Sequence, residues 1–301
     1  MTRDRKISRF RDDAARSKFL TAYDNALAAW PAPPAQLDVD TRYGTTHVLS
    51  CGVSTGTPIV LLHGVGASSP TWFANVARLG ENHPVFAVDT ITDAGRSLQT
   101  ARIRNRADLA LWLDDVLAGL ESARLELARV HLVGLSYGGW LALNQAVRSP
   151  ERLASVTSVE PPGAIARMKV NLKMMPDGVL AKFAHSDAAL HRLLRMLNNG
   201  AVLAQPTVDL ATAWFRTFVL KQPFPGRLND DELRSIRTPT LLLFGERSLV
   251  IDAARATDRA RRLVANVDAE VVANAGHMLP IEKPDAFTSR LLAFIDGVDR
   301  E

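Results

Sequence analysis

Val130-His131-Leu132-Val133-Gly134-Leu135-Ser136-Tyr137-Gly138-Gly139 is a short apolar strand that ends in Gly-x-Ser-x-Gly, and Trp140 to Val147 continue it as a helix. A chain turning this abruptly from strand to helix crowds its own backbone, so glycines flank the serine where side chains would collide. Ser136 is then held exposed on a strained turn, with the amino end of a helix behind it to favour negative charge. The plain alternative is a serine that merely caps a helix. A strand before and a helix after the motif favour the nucleophile.

Serine needs a base at neutral pH, and after a nucleophile on such an elbow the base comes later in the chain. That order leaves His47, His63, His83 and His131 out, and keeps His185, His191 and His277. His185 and His191 sit in helical stretches. His277 alone follows the last apolar run, in Val271-Val272-Ala273-Asn274-Ala275-Gly276-His277-Met278, and is the predicted general base. Upstream, Pro58 to Leu62 form an apolar strand that runs into His63-Gly64-Val65-Gly66. Acyl transfer needs two N–H groups aimed at the oxyanion, and the expected pair is the amide of Tyr137 with that of Val65. His63 is expected to orient this loop.

Working outward, the strand Val130 to Val133 is one of a series, with Pro58–Leu62, Val85–Val88, Leu153–Val159, Pro239–Phe244 and Glu270–Ala273, mostly separated by helical periodicity. Such alternation predicts an α/β fold with a parallel sheet and helices on both faces. Gln36–Thr41 and Thr45–Cys51, divided by Tyr43-Gly44, read as an antiparallel hairpin. Before them, Asp12 to Trp30 carry apolar residues at helical spacing until Pro31. The rhythm breaks between Glu160 and Pro239, where Ala164–Met175, Gly178–Leu197 and Val208–Leu220 read as helices of a cap over the carboxyl edge of the sheet. The expected division is residues 1–35 as an N-terminal helix packed on the core, 36–160 and 236–301 as the core, and 161–235 as the cap.

Hydrophobic residues make up 47% and charged residues 23% of the 301-residue chain, the balance of a globular enzyme. No apolar run reaches the roughly 20 residues of a membrane span, and no secretory apolar stretch follows the charged start, so a cytoplasmic protein is expected with no membrane partner. The single cysteine, Cys51, cannot close an internal disulfide and is read as packing. The basic residues near the start, among them Arg3, Arg5, Lys6, Arg9, Arg11, Arg16 and Lys18, are interrupted by Asp4, Asp12 and Asp13. They read as a solvated face rather than a nucleic-acid surface.

Four motifs together resemble the α/β-hydrolase superfamily over residues 36–301: Leu62-His63-Gly64, Gly134 to Gly138, Asn274-Ala275-Gly276-His277, and Val88-Asp89 with Gly95-Arg96-Ser97. The helix ending at Trp30, Tyr43-Gly44-Thr45-Thr46-His47-Val48, and Gly245-Glu246 followed by Val250-Ile251-Asp252 are more narrowly similar to bacterial carboxylesterases related to the naproxen esterase of bacilli. The resemblance implies an eight-stranded, mostly parallel sheet with a helical lid, and cofactor-free, metal-free hydrolysis of small esters through an acyl-serine. Serine at the elbow argues against the dehalogenases and epoxide hydrolases of this fold, which use aspartate there.

One position departs from the pattern. Many relatives carry an acid a few residues after the strand matching Pro239–Phe244, but Gly245-Glu246-Arg247-Ser248 puts serine there. Glu160, closing the strand Val156–Glu160 where some relatives keep their acid, is the best replacement, and Asp252 and Glu246 are the alternatives. Asp252 otherwise caps a helix from Ala253. Thioester or lactone hydrolysis, perhydrolysis and cofactor-free C–C cleavage use the same residues, and a receptor without turnover is the non-enzymatic alternative. A carrier-bound or acyl-CoA substrate would draw on Arg167, Lys169, Lys173, Arg192 and Arg195. The sequence leaves the oligomeric state open.

Overall fold

A computed structural model describes residues 7–123, 129–169, 174–184, 186–223 and 226–300. Eight strands build the main sheet: β1 (Ala35–Thr41), β2 (Gly44–Gly52), β3 (Ile59–Leu62), β4 (Pro84–Val88), β5 (Val130–Leu135), β6 (Leu153–Val159), β7 (Thr240–Gly245) and β8 (Val267–Val272). Their order is β8-β7-β6-β5-β3-β4-β2-β1, and a two-residue ninth strand, Leu98–Gln99, adds to β2. β1, β2 and β4 pair antiparallel in succession, and every pair from β4 through β8 is parallel. The central strands are largely apolar because both faces are covered: Val60, Leu62, Leu132 and Leu242 join one core, Leu61, Val133, Val159 and Leu243 the other. Burial of this kind contributes about 25 cal/mol for each Å² of apolar surface removed from water.

The chain leaves β3 toward β4 on one side and returns through β5 on the other, which makes the gap beyond β3 and β5 a switch point where ligand sites form. Register brings the ends together. Leu62 lies opposite Gly134, Leu135 opposite Val159, and Val159 opposite Leu243. The ladder continues one step past the strands, Ser136 donating to the Val159 carbonyl at 2.8 Å and Glu160 to the Leu243 carbonyl at 2.9 Å.

Between β6 and β7 the helices are α1 (Met175–Phe183), α2 (Asp187–Leu197), α3 (Gln205–Thr217) and, just before β7, the short helix Asp230–Ser235. The expected single helix over Gly178–Leu197 is therefore two, the second capped by Ser186, whose hydroxyl accepts from the Ala189 amide at 3.2 Å. The expected helix over Ala164–Met175 does not form across its described part. Its backbone bonds to a distant loop instead of its own preceding turn, Lys169 donating to the Val250 carbonyl at 2.8 Å and Met168 bridging Ile251. Residues 170–173 lie outside the described residues. The third helix stops at Thr217, short of the expected Leu220, because Phe218–Val219 pair antiparallel with Arg9–Phe10. The last strand starts at Val267, earlier than the expected Glu270, in register with Thr240, and turns Asp268 and Glu270 toward Arg290.

The N-terminal helix, Asp13–Leu27, packs on the core and also against the helices between β6 and β7. Phe19 and Tyr23 pack with Leu210 and Ala213 of α3, while the Tyr23 hydroxyl meets Ser69 Oγ at 3.0 Å and the Trp30 indole donates to the Pro70 carbonyl at 3.0 Å.

Candidate active site

Ser136 has φ +54°, a left-handed conformation that a serine adopts only when its surroundings impose it. What imposes it is close approach: a Cβ at Gly138 would stand 2.2 Å from the Leu62 carbonyl oxygen, and one at Gly134 2.1 Å from that of Gly138. The helix Tyr137–Arg148 starts at the next residue, so its unpaired amides face the serine.

The Ser136 hydroxyl lies 3.0 Å from Nε2 of His277, whose Nδ1 lies 2.9 Å from Oε2 of Glu160. A carboxylate only accepts, so Nδ1 carries the proton and Nε2 is left to accept from the serine. The imidazole is placed by its own backbone, the His277 amide donating to the Leu197 carbonyl of the cap at 3.0 Å. Glu160 is wholly buried at φ +50°. Its Oε1 accepts from the Gly245 amide at 2.8 Å and its Oε2 from the Ser248 hydroxyl at 2.5 Å. Three donors on one buried carboxylate satisfy the charge that burial would otherwise penalise.

Of the other two acids, Asp252 caps the helix Ala253–Leu263, accepting from the Arg255 amide at 3.3 Å and pairing with the Arg255 guanidinium. Glu246 is exposed and accepts from the Asn274 amide at 2.8 Å, bracing the loop that carries His277. Ser248, standing where many relatives place their acid, is the residue the sequence pattern undervalued. The only sequence signal for it was its position in the Gly245-Glu246-Arg247-Ser248 loop.

Across the serine, His63 accepts the Thr90 amide on Nε2 at 3.0 Å, so its Nδ1 donates to the Gly64 carbonyl at 2.8 Å. The ring thus holds the loop, as read from its sequence position. Val65 and Tyr137 line the same cavity as Ser136. The Tyr137 ring stacks on Trp140 with centroids 5.8 Å apart, and burial pushes its phenol well above its ordinary pKa.

The cavity measures about 440 Å³ and runs between the elbow and the cap, walled by Trp72, Leu135, Leu194, Leu197, Leu210 and Met278. Among the described residues lining it are no Lys, Arg, Asp or Glu. Arg192 pairs with Asp177, Arg195 reaches the Gly200 carbonyl, and Lys169 donates to the Ser248 carbonyl from outside. Arg167 and Lys169 border a second cleft shared with Arg227, Arg262, Asp252 and Asp258. His191 bonds to Thr212. Lys173 and His185 lie outside the described residues. Among the described residues no three His, Cys, Asp or Glu side chains gather as a metal-ligand set, and no helix is long and apolar enough to cross a membrane.

Comparison with known proteins agrees with the fold. Residues 59–290 match the alpha/beta hydrolase family. The carboxylesterase YbfK of Bacillus subtilis is 34% identical over 292 residues, 93% of this chain and 94% of that protein. A second Bacillus subtilis protein, described as uncharacterized carboxylesterase nap, is 31% identical over 93% of both chains. The crystal structure of naproxen esterase (carboxylesterase NP) from Bacillus subtilis superposes with a TM-score of 0.85 at 30% identity, over 94% of this chain and 98% of that one. The chain belongs to the alpha/beta hydrolase family, among its carboxylesterase-like enzymes.

Proposed function

We propose that the protein hydrolyses small carboxylic esters through an acyl-enzyme on Ser136. The observation that carries this is the unbroken row Ser136–His277–Glu160, at 3.0 and 2.9 Å, opening on an apolar cavity. Nε2 of His277 takes the hydroxyl proton as Ser136 Oγ bonds to the ester carbonyl carbon, and Glu160 stabilises the imidazolium. The Tyr137 and Val65 amides stabilise the oxyanion. Collapse breaks the C–O bond, and the imidazolium gives its proton to the departing alcohol. Water, deprotonated by the same nitrogen, then attacks the acyl-serine and releases the acid.

The uncharged lining favours esters whose acyl and alcohol parts are neutral, and weighs against a substrate with an anionic carrier in the cavity itself. Thioester, lactone and C–C hydrolysis share the machinery but draw no observation in their favour. A cytoplasmic setting is in keeping with the single cysteine, Cys51.

Burst kinetics with p-nitrophenyl acetate and butyrate test the reading. A burst of one nitrophenol per chain, abolished in Ser136→Ala, is the expected result. No burst, no turnover and no labelling of Ser136 by a fluorophosphonate would overturn it.

A further inference from the structure

The hydrolysis just described leaves two buried carboxylates, Asp89 and Asp93, without a task. Asp93 follows β4, is 4% exposed, and has no lysine or arginine ion-pair partner among the described residues. Burial raises its carboxyl pKa. A carboxylate so placed is costly unless its oxygens are occupied, and here they take three N–H groups. Oδ2 accepts from the Gly66 amide at 3.2 Å, and Oδ1 from the Ala94 amide at 2.8 Å and the Trp214 indole at 2.5 Å.

The three donors belong to different parts of the molecule. Gly66 is in the loop that carries Val65, at φ +80°, and Trp214 is on α3 of the cap. The indole also covers Gly66 directly, since a Cβ there would stand 3.6 Å from two atoms of the Trp214 ring. Val65 therefore sits between two tethers. One is the Gly64 carbonyl, held by His63 and by the Ala67 amide at 3.2 Å, and it is anchored in the core. The other is the Gly66 amide, held by Asp93, which the cap holds in turn.

We propose that Asp93 is a positioning residue that ties the docking of α3 to the aim of the Val65 amide, so that the oxyanion is fully stabilised only while Trp214 is seated. The inference rests on the esterase reading for its kinetic consequence, though not for the linkage itself. A donor misaimed by a fraction of an ångström loses much of its effect on the transition state while leaving ground-state binding unchanged.

The test uses Asp93→Asn, Trp214→Phe and the double variant of the full chain. Asparagine sets an NH₂ against an N–H donor, whereas phenylalanine keeps an aromatic ring over Gly66 and removes only the indole donor. Each single variant is expected to lower kcat for p-nitrophenyl butyrate by about 10- to 100-fold with KM within about threefold. Affinity for a trifluoromethyl ketone, which forms a hemiketal oxyanion on serine, falls by the same factor as kcat/KM, and affinity for the methyl ketone of equal length does not. The double variant is no slower than the slower single, because both cut one linkage. Unchanged kcat, equal weakening of both ketones, or multiplying effects would overturn the proposal. Hydrogen exchange of the Gly66 amide reads the linkage without turnover: faster exchange in Trp214→Phe supports it, and unchanged exchange sinks it. If Asp93→Asn does not fold, Trp214→Phe carries both tests. If the intact protein shows no burst, the esterase reading fails alone and the exchange result still decides the linkage.

Discussion

Ser248 Oγ lies 2.5 Å from Glu160 Oε2, the same oxygen that faces His277 Nδ1 at 2.9 Å. The loop that often supplies the acid in relatives here supplies a donor to an acid located elsewhere, and Gly245 of the same loop donates to the other oxygen. Against the pattern that the resemblance implies, the carboxylate stands on the neighbouring strand end, with the loop beside it.

That arrangement predicts the consequence of placing it on the loop. Glu160→Gln should lower kcat by about 10³- to 10⁴-fold, the effect of losing tautomer control and imidazolium stabilisation. Adding Ser248→Asp to that variant should return part of the loss. Near-normal turnover in Glu160→Gln, measured with p-nitrophenyl butyrate, would mean that another group serves the histidine.

The elbow stores strain that a stability measurement can read. Ser136 at φ +54° should cost about 1–3 kcal/mol, so Ser136→Gly should raise the urea midpoint while ending turnover. An unchanged or lower midpoint would place the cost elsewhere. Gly138→Ala, which drives a methyl group toward the Leu62 carbonyl, should instead destabilise severely.

At the opposite edge of the sheet His131 is fully buried, meeting Ser155 Oγ at 2.8 Å and Asp299 at 3.1 Å. Burial pushes its pKa down from 6.5 to about 4, Asp299 opposing the shift and His83 adding to it. Between these values the unfolded chain holds a proton that the folded chain does not. The contribution is fully present above pH 6.5 and is lost as pH falls toward 4, by an amount of order 3 kcal/mol. Denaturation midpoints followed over that range should decline with acid, and His131→Gln should flatten the decline. An equal slope in the variant would remove His131 as its source.

The apolar cavity predicts a chain-length profile. Each added methylene of the acyl group gains up to about 0.8 kcal/mol on burial, so kcat/KM should rise roughly two- to fourfold per carbon until the cavity is filled, then drop. Ile281→Phe, which narrows it, should move the drop to shorter chains. A flat profile from acetate to octanoate would mean that the acyl group lies outside the cavity.

Much of this site is written in local sequence. The elbow around Ser136 and the loop of His277 are short runs whose glycines answer to crowding within a few residues, so their pattern is visible along the chain. Glu160 was harder to separate from Asp252 and Glu246, because the choice depends on the register of β6 against β7, a contact between segments far apart in sequence. Ser248 gave no signal beyond its place in the loop for the same reason: a serine there looks like solvent-facing polarity until the opposing strand end is in place. The cap shows the same limit. Ala164–Met175 has helical spacing, but backbone bonds to Val250 and Ile251 override that preference, and Arg9–Phe10 end α3 from the far end of the chain.

The ladder between Arg9–Phe10 and Phe218–Val219, together with the Ser8 hydroxyl accepting from the Lys221 amide at 2.7 Å, gives the cap a clasp made from residues that precede the sheet. Modularity in this architecture then does not follow the order of the chain. A chimera that exchanges residues 161–235 for another lid would inherit a clasp cut for the old one, so the transplantable unit is the lid together with residues 7–27.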